Sequence, residues 1–178
     1  MKQISDYVLK CSSLDRSQCD DVISSLDNWQ PHQWYSHAED NKVENGDFVV
    51  TSNIAANKRL QPYIEQGLNT YAHTKMGDYG ETFFNTHVRF NKYSIGEGIE
   101  EHVDHIHAIF QSRPSGIPVL SMVGCLNDNY HGGVFHLCGN PIDISAGEFI
   151  IFPSIFLYPH YVTPVTEGTR YSWVSWAC

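Results

Sequence analysis

Charged side chains are scarce in this 178-residue sequence, and basic side chains are the scarcer kind. Only 17% of the residues are charged, and 20 acidic residues against 11 lysines and arginines give a formal net charge of −9. A surface with so few cations offers no broad electrostatic attraction to a phosphate backbone or an anionic lipid. We therefore expect neither a nucleic acid nor a membrane as a partner.

Long apolar runs are absent as well. A membrane-spanning helix needs roughly 18 or more consecutive apolar residues, whereas the most apolar run, 149–158, is interrupted by Pro153 and Ser154. The residues after Met1 are too polar for the apolar region of a signal peptide. The five cysteines are odd in number and form no C-x-x-C pair. We therefore expect reduced thiols and a cytoplasmic location.

The first 81 residues show helical signals. Asp15 is placed to cap a helix, with Gln18 in the reciprocal capping position. A second helix is predicted to begin at Pro62, a residue suited to a first turn, and to end at Gly77. The intervening residues 29–57 combine scattered aromatic residues with turn signals, which indicates loops with one or two short strands.

From residue 82 onward the chain consists of short β-rich runs separated by glycine, proline and asparagine, which is typical of an all-β sandwich or barrel. We expect a single domain, 1–178, with a helical buttress and loops over 1–81 and a jelly-roll core over 82–178. The fold class is then mainly β with flanking helices: a double-stranded β-helix (jelly roll) of about eight strands, with the N-terminal helices packed on one sheet. The candidate strands are 83–93, 101–106, 119–126, 134–137, 142–144, 148–152, 160–165 and 171–176.

Histidine is unusually frequent, with ten residues, and it is both the commonest metal ligand and a group suited to proton transfer. His102 and Asp104 alternate on a predicted strand, so their side chains share a face. Two imidazoles and one carboxylate on one face are what a mononuclear Fe(II) site requires. The spacing alone is weak evidence, because chance gives about 0.6 such pairs in a chain of this composition. A hydrogen-bonded pair on a surface strand is the alternative.

An ordered set of motifs follows this pair: Gly132-Gly133-Val134-Phe135, then residues 147–154, 160–165 and 168–172. At these residues the sequence resembles the iron(II)- and 2-oxoglutarate-dependent dioxygenases, and within them the prolyl 4-hydroxylase-like group, from about residue 89 to residue 176. The resemblance implies that His102, Asp104 and His160 are the iron ligands. It also implies that Arg170 binds the distal carboxylate of 2-oxoglutarate.

Other residues are expected around the cosubstrate. Arg170 presents a planar fork of donors suited to a carboxylate, and Ser172 lies on the same strand face, where it could donate a second hydrogen bond. The resemblance places Tyr93 in contact with the cosubstrate and Trp176 near the substrate opening. Alternatives remain open, since His160 could be an ordinary core histidine and Arg170 an exposed strand arginine.

The sequence also departs from the family pattern. Gly124 and Cys125 occupy the region where the family often has a tyrosine that contacts the cosubstrate. Collagen-type and plant-type relatives carry a peptide-holding arginine near the position of Pro118, and many prolyl 4-hydroxylases have lysine in place of Arg170. Nucleobase demethylases typically have a second arginine at the position of Trp176, which disfavours that substrate class.

The resemblance implies hydroxylation of an unactivated C–H bond, with release of succinate and CO₂. The expected cofactors are Fe(II), 2-oxoglutarate and O₂, with ascorbate as a further candidate. A prolyl residue of a peptide or protein is the favoured substrate, and a free amino acid or other small molecule is the alternative. A non-catalytic binding or sensing jelly roll, or a zinc hydrolase, is the alternative from another class. His105 and His107 are expected to point away from the ligand pair, as surface or supporting residues.

Overall fold

Over the residues that the structure describes, two β-sheets face each other, and two α-helices pack against the outer face of the larger sheet. A computed structural model describes residues 3–36, 41–77, 83–104 and 118–178. Its strands are β1 Leu9–Ser12, β2 Gln30–Ser36, β3 Asn41–Thr51, β4 Arg89–Tyr93, β5 Ile99–His102, β6 Leu120–Cys125, β7 His131–Gly132, β8 Phe135–Leu137, β9 Asn140–Pro141, β10 Glu148–Pro153, β11 His160–Val162, β12 Val165–Glu167 and β13 Arg170–Ala177. The helices are α1 Arg16–Ser24 and α2 Ile54–Tyr71, with a 3₁₀ turn at Ile4–Tyr7 and a π-helical turn at Ala72–Met76.

The larger sheet has seven strands in the order β1-β10-β6-β13-β4-β3-β2, and the smaller has four in the order β5-β11-β8-β9. Strands β7 and β12 form a separate pair. Side chains from both sheets, such as Phe152 and Phe135, form one of the two hydrophobic clusters. This arrangement confirms the expected mainly β, jelly-roll fold class.

Helix α1 forms where the capping signal predicts it. The Asp15 side chain accepts a hydrogen bond from the backbone N–H of Gln18, and the Gln18 side chain accepts one from the backbone N–H of Asp15. Val22, on the inner face, packs in a cluster that includes Phe90 and Trp173 of the larger sheet. The helix is therefore held by its cap at one end and by apolar burial along its inner face.

The prediction that the second helix begins at Pro62 is wrong, because α2 starts eight residues earlier, at Ile54. Asn53 caps it by accepting a hydrogen bond from the backbone N–H three residues along. Pro62 lies inside the helix, where it removes the hydrogen bond to the carbonyl one turn back. Leu60 and Ile64 are fully buried on the two sides of the proline, and this burial outweighs the lost bond. Among the described helices, none combines the length and apolarity needed to cross a membrane.

The N-terminal third contributes more sheet than predicted. Strand β1 pairs with β10, and β2 and β3 form an antiparallel pair at the opposite edge of the larger sheet. The predicted strand 142–144 is not formed, and β9 lies just before it. The predicted strand 160–165 is two strands, because Pro164 has no N–H to donate and the chain changes partner there, from β8 to β7.

Candidate active site

Two histidines face each other across neighbouring strands of the smaller sheet. Strands β5 and β11 pair antiparallel with His160 opposite His102, and the two ring centroids are 4.3 Å apart. Gly98 permits this close pairing, since a Cβ there would lie 2.6 Å from the carbonyl oxygen of Val162. The strand register therefore brings together two imidazoles that are 58 residues apart in the sequence.

Asp104 completes a cluster with these two rings. It lies two residues beyond the end of β5, with Oδ1 3.8 Å from His102 Nε2 and Oδ2 3.6 Å from His160 Nε2. One ligand atom from each residue lies within 4.8 Å of the others. The structure thus brings together the three residues predicted as iron ligands, although Asp104 follows the strand rather than lying on it.

Backbone carbonyls fix the orientation of both rings. His102 Nδ1 lies 2.8 Å from the carbonyl oxygen of Glu100, and His160 Nδ1 lies 3.1 Å from that of Tyr158. A carbonyl only accepts, so each Nδ1 donates, and in the neutral ring Nε2 then has the lone pair that faces the cluster. Burial and the neighbouring His160 lower the pKa of His102 to about 4, so this imidazole is neutral at pH 7.

The carboxylate of Asp104 is held ionised. Burial by itself would raise its pKa, but His160 and a hydrogen bond from Ser121 hold the pKa below its usual value. The Ser121 hydroxyl donates to Oδ2 at 2.6 Å and lies 2.6 Å from the Ser154 hydroxyl. Two imidazole nitrogens and one carboxylate oxygen on a single face fit a divalent first-row metal such as Fe(II) and leave positions open for other ligands.

Arg170 lies at the start of β13 with only 2% of its surface exposed. Its Nη1 donates to Ser172 Oγ at 2.9 Å, and its Cζ lies 5.1 Å from the Tyr93 ring. Its Nε–H has no hydrogen-bond partner, and no carboxylate pairs with it in the described ranges. A buried cation without a counter-ion is costly. The position therefore fits an anionic ligand such as the distal carboxylate of 2-oxoglutarate.

Arg170, Ser172 and the three clustered residues line one cavity between the two sheets. Ser172 Oγ accepts a hydrogen bond from Arg170, and a second hydrogen bond from Ser172 to the cosubstrate stays a prediction. The cavity wall also includes Tyr93 and Trp176, the other two residues predicted for the site. The structure thus places all seven predicted residues around one space. His105 and His107 lie outside the described residues.

Gly133 gives Arg170 room. Its φ is +58°, and a Cβ there would lie 2.9 Å from Arg170 Cδ and 3.1 Å from the Tyr130 ring. Glycine is required at position 124 for a different reason, because a Cβ there would lie 2.2 Å from the Trp173 ring. With Trp173 filling that space, the tyrosine that the family often places in this region cannot be accommodated at position 124.

Sequence reasoning missed Tyr130. Its hydroxyl lies 3.5 Å from Cys125 Sγ, and the phenol and the Arg170 guanidinium interact electrostatically. Burial and Cys125 raise the pKa of Tyr130 to about 12, so the phenol is neutral. Tyr130 comes just before the Gly132-Gly133 motif, but nothing in the sequence shows that this turn folds back over Arg170.

Sequence reasoning also missed Arg89 and Asn91, which line the same cavity. Arg89 Cζ lies 5.2 Å from the Trp176 ring. The available signal was strand alternation, because Arg89, Asn91 and Tyr93 occupy every second position of β4 and so share a face.

Comparisons with known proteins agree with this geometry. The model of the 2OG-Fe(II) oxygenase superfamily matches residues 88–178. A PKHD-type hydroxylase of Delftia acidovorans is 36% identical over 97 residues, which are 49% of this chain and 41% of that protein. A PKHD-type hydroxylase of Methylobacillus flagellatus is 32% identical over 96 residues, 49% of this chain and 40% of that protein. The matched segment thus spans about two fifths of these relatives.

Solved structures share the fold over nearly the whole chain. The viral collagen prolyl hydroxylase from Paramecium Bursaria Chlorella virus-1, in its 2OG complex, superposes with a TM-score of 0.67 at 16% identity, covering 96% of this chain and 94% of that one. A Pseudomonas putida prolyl-4-hydroxylase gives 0.60 at 17% identity, covering 97% and 92%. The family match over half the chain, together with the His-Asp-His cluster and the buried arginine, shows that this chain belongs to the 2OG-Fe(II) oxygenase superfamily.

Proposed function

We propose that this chain hydroxylates an unactivated C–H bond of a prolyl unit in a reaction that consumes 2-oxoglutarate and O₂ and releases succinate and CO₂. The observation that carries the proposal is the pairing, in one cavity, of a His-Asp-His cluster with a buried arginine that has no carboxylate partner among the described residues. A metal site alone would not need Arg170. A structural arginine would normally be neutralised by a carboxylate of the protein.

The proposed ligands of Fe(II) are His102 and His160 through Nε2, and Asp104 through its carboxylate. When bound, the metal and 2-oxoglutarate supply the activation of O₂ and the electrons that its reduction requires. The protein orients the metal ligands. The carbonyls of Glu100 and Tyr158 accept hydrogen bonds from the two rings, so that both Nε2 atoms point at the same place.

Arg170 is proposed to bind the distal carboxylate of 2-oxoglutarate, with Ser172 and Tyr130 beside it. The Ser172 and Tyr130 hydroxyls are the proposed further hydrogen-bond donors to that carboxylate. Tyr93 contributes a buried aromatic wall next to the guanidinium. Together these residues fix the cosubstrate at one end, so that its other end is presented to the metal ligands across the cavity.

The prolyl substrate is proposed from the prolyl hydroxylases that share the fold. Trp176, beside the cluster in the cavity wall, is the proposed contact for the substrate ring. A free amino acid or another small molecule is the second candidate, favoured by a second cavity arginine, Arg89. Ascorbate is included as a candidate reductant that keeps the iron in the ferrous state.

The test is succinate release in air with Fe(II), 2-oxoglutarate and ascorbate, against a panel of proline-containing peptides and free amino acids. We expect one class to stimulate release, with hydroxylated product in equal amount. Asp104→Ala should abolish release, whereas Asp143→Ala, in the turn after β9, should retain it. Hydrolysis supported by Zn²⁺ without 2-oxoglutarate, or no turnover with any metal, would instead support the hydrolase or the non-catalytic binding module.

A further inference from the structure

The cavity that contains the cluster is also lined by a second arginine, Arg89, the first residue of strand β4. Strand β4 pairs with β13 so that Tyr93 lies opposite Arg170 and Arg89 lies opposite Val174. At about 3.3 Å per residue, four residues place the two β4 positions roughly 13 Å apart. Arg170 and Arg89 thus lie towards opposite ends of the same two-stranded ladder, and both line the cavity.

Arg89 is held in place by neutral groups. Its Nε–H donates to Asn91 Oδ1 at 3.1 Å, and its Nη1 donates to His32 Nε2 at 3.1 Å. The Trp176 ring lies 5.2 Å from its Cζ. Burial and the charge of Arg89 lower the pKa of His32 to about 3, so His32 accepts the hydrogen bond as a neutral ring. These contacts orient the guanidinium without neutralising it.

Most of the donor capacity of Arg89 remains available. A guanidinium has five N–H groups, and the contacts with Asn91 and His32 use two of them. In the part of the chain that the structure describes, no carboxylate lies within ion-pair distance of this side chain. Arg89 is also partly exposed to the cavity, so a ligand can reach it.

With Fe(II) and 2-oxoglutarate bound, the formal charges of the site would favour one more anion. Two guanidinium groups and a divalent metal face the single carboxylate of Asp104. A dianionic 2-oxoglutarate leaves one positive charge uncompensated. The proposed position of 2-oxoglutarate is at the Arg170 end of the cavity. The excess charge is therefore at Arg89, beside Trp176, on the side proposed for the substrate. A planar carboxylate matches the fork of an arginine and carries the single negative charge required.

We infer that Arg89 binds a free α-carboxylate of the primary substrate, so that the substrate is an amino acid or a C-terminal residue and not an internal residue of a peptide. This inference rests on the proposed function and narrows its substrate class. Arg89 is then a specificity-determining residue, since it contacts a part of the substrate that does not react.

The experiment compares carboxylates with their amides. The probes are the twenty free amino acids and their amides, a peptide ending in proline, and the same peptide amidated at its C-terminus. We expect succinate release to be stimulated by a carboxylate form and roughly 30-fold less efficiently by its amide, the lower end expected when one partner of a buried charged pair is removed. The free amino acids and the C-terminal peptide distinguish the two sources of the carboxylate.

The variant Arg89→Gln should remove this preference, because its KM for the carboxylate rises to that for the amide. Arg89→Lys should retain part of it. If Arg89 is only structural, Arg89→Gln will lower turnover of the carboxylate and the amide by the same factor, which overturns the inference. Equal turnover of both forms by the wild-type protein, or stimulation by internal prolyl peptides alone, overturns it as well.

Failure of the proposed function gives a different result. Binding of 2-oxoglutarate to the protein loaded with Mn²⁺, measured by calorimetry without O₂, does not involve the substrate. If this binding is present and no probe carrying a carboxylate stimulates succinate release, only the assignment of Arg89 is overturned. If 2-oxoglutarate does not bind, the proposed function itself fails.

Discussion

The replacement of Arg170 by alanine tests the assigned cosubstrate anchor most sharply. Arg170 is 2% exposed, and within the described ranges it has no carboxylate partner, so a bound carboxylate would be its counter-ion. Removal of one partner of such a buried charged pair costs about 2–5 kcal/mol. At 1.4 kcal/mol per factor of ten, this corresponds to a dissociation constant for 2-oxoglutarate that is roughly 30-fold to several thousand-fold higher.

The assay is anaerobic calorimetric titration of 2-oxoglutarate into the protein loaded with Mn²⁺. Arg170→Lys keeps the charge without the planar fork and should fall between the wild type and Arg170→Ala. Arg59→Ala is the matched control, since Arg59 is half exposed and its ion pair with Asp21, at 3.5 Å, is a surface contact. Equal affinity in the wild type and Arg170→Ala, with both folded by thermal melting, would refute the assignment.

Three further changes test other parts of the site. Asp104→Ala removes one of three ligands, and metal analysis after dialysis should show loss of bound Fe(II); full retention would contradict the ligand set. Gly133→Ala and Gly139→Ala both place alanine at a positive φ, which costs about 1–2 kcal/mol of stability each. Only Gly133→Ala should also weaken 2-oxoglutarate, because only its Cβ meets Arg170; similar weakening in both variants would show that strain alone is responsible. Because the pKa of His32 is lowered to about 3, the unfolded state binds more protons than the folded state between pH 6.5 and 3, and stability falls as the pH falls through that window. The variant His32→Phe should make this loss of stability with pH shallower in urea titrations. An unchanged pH dependence in the variant would contradict the role assigned to His32.

The sequence predicted the local features well. The cap at Asp15 and the shared strand face of Arg170 and Ser172 depend on residues close together in the chain, and the structure shows both. The motif order pointed to His102, Asp104 and His160, which the structure places together. These signals work because strand phase and capping are properties of short segments.

The remaining features depend on distant contacts. Helix α2 continues through Pro62 because Leu60 and Ile64 are buried against the sheet, and no local signal reports that burial. Arg89 shares a face of β4 with Tyr93, so strand alternation was a usable signal for its place in the cavity, but its contacts with His32 and Trp176 depend on segments far away in the sequence. Tyr130 comes close to Arg170 only because the segment before Gly132 folds back towards it, and no spacing in the sequence shows this.

The central claim is that one cavity binds Fe(II) and 2-oxoglutarate together. The most direct measurement is the visible absorption spectrum of the anaerobic protein as Fe(II) and then 2-oxoglutarate are added. If the cavity binds both, a weak charge-transfer band will appear only after both additions and will be lost in His102→Ala and Asp104→Ala. If no band forms in the wild-type protein, and no succinate forms when air is admitted, the cavity does not bind Fe(II) and 2-oxoglutarate together.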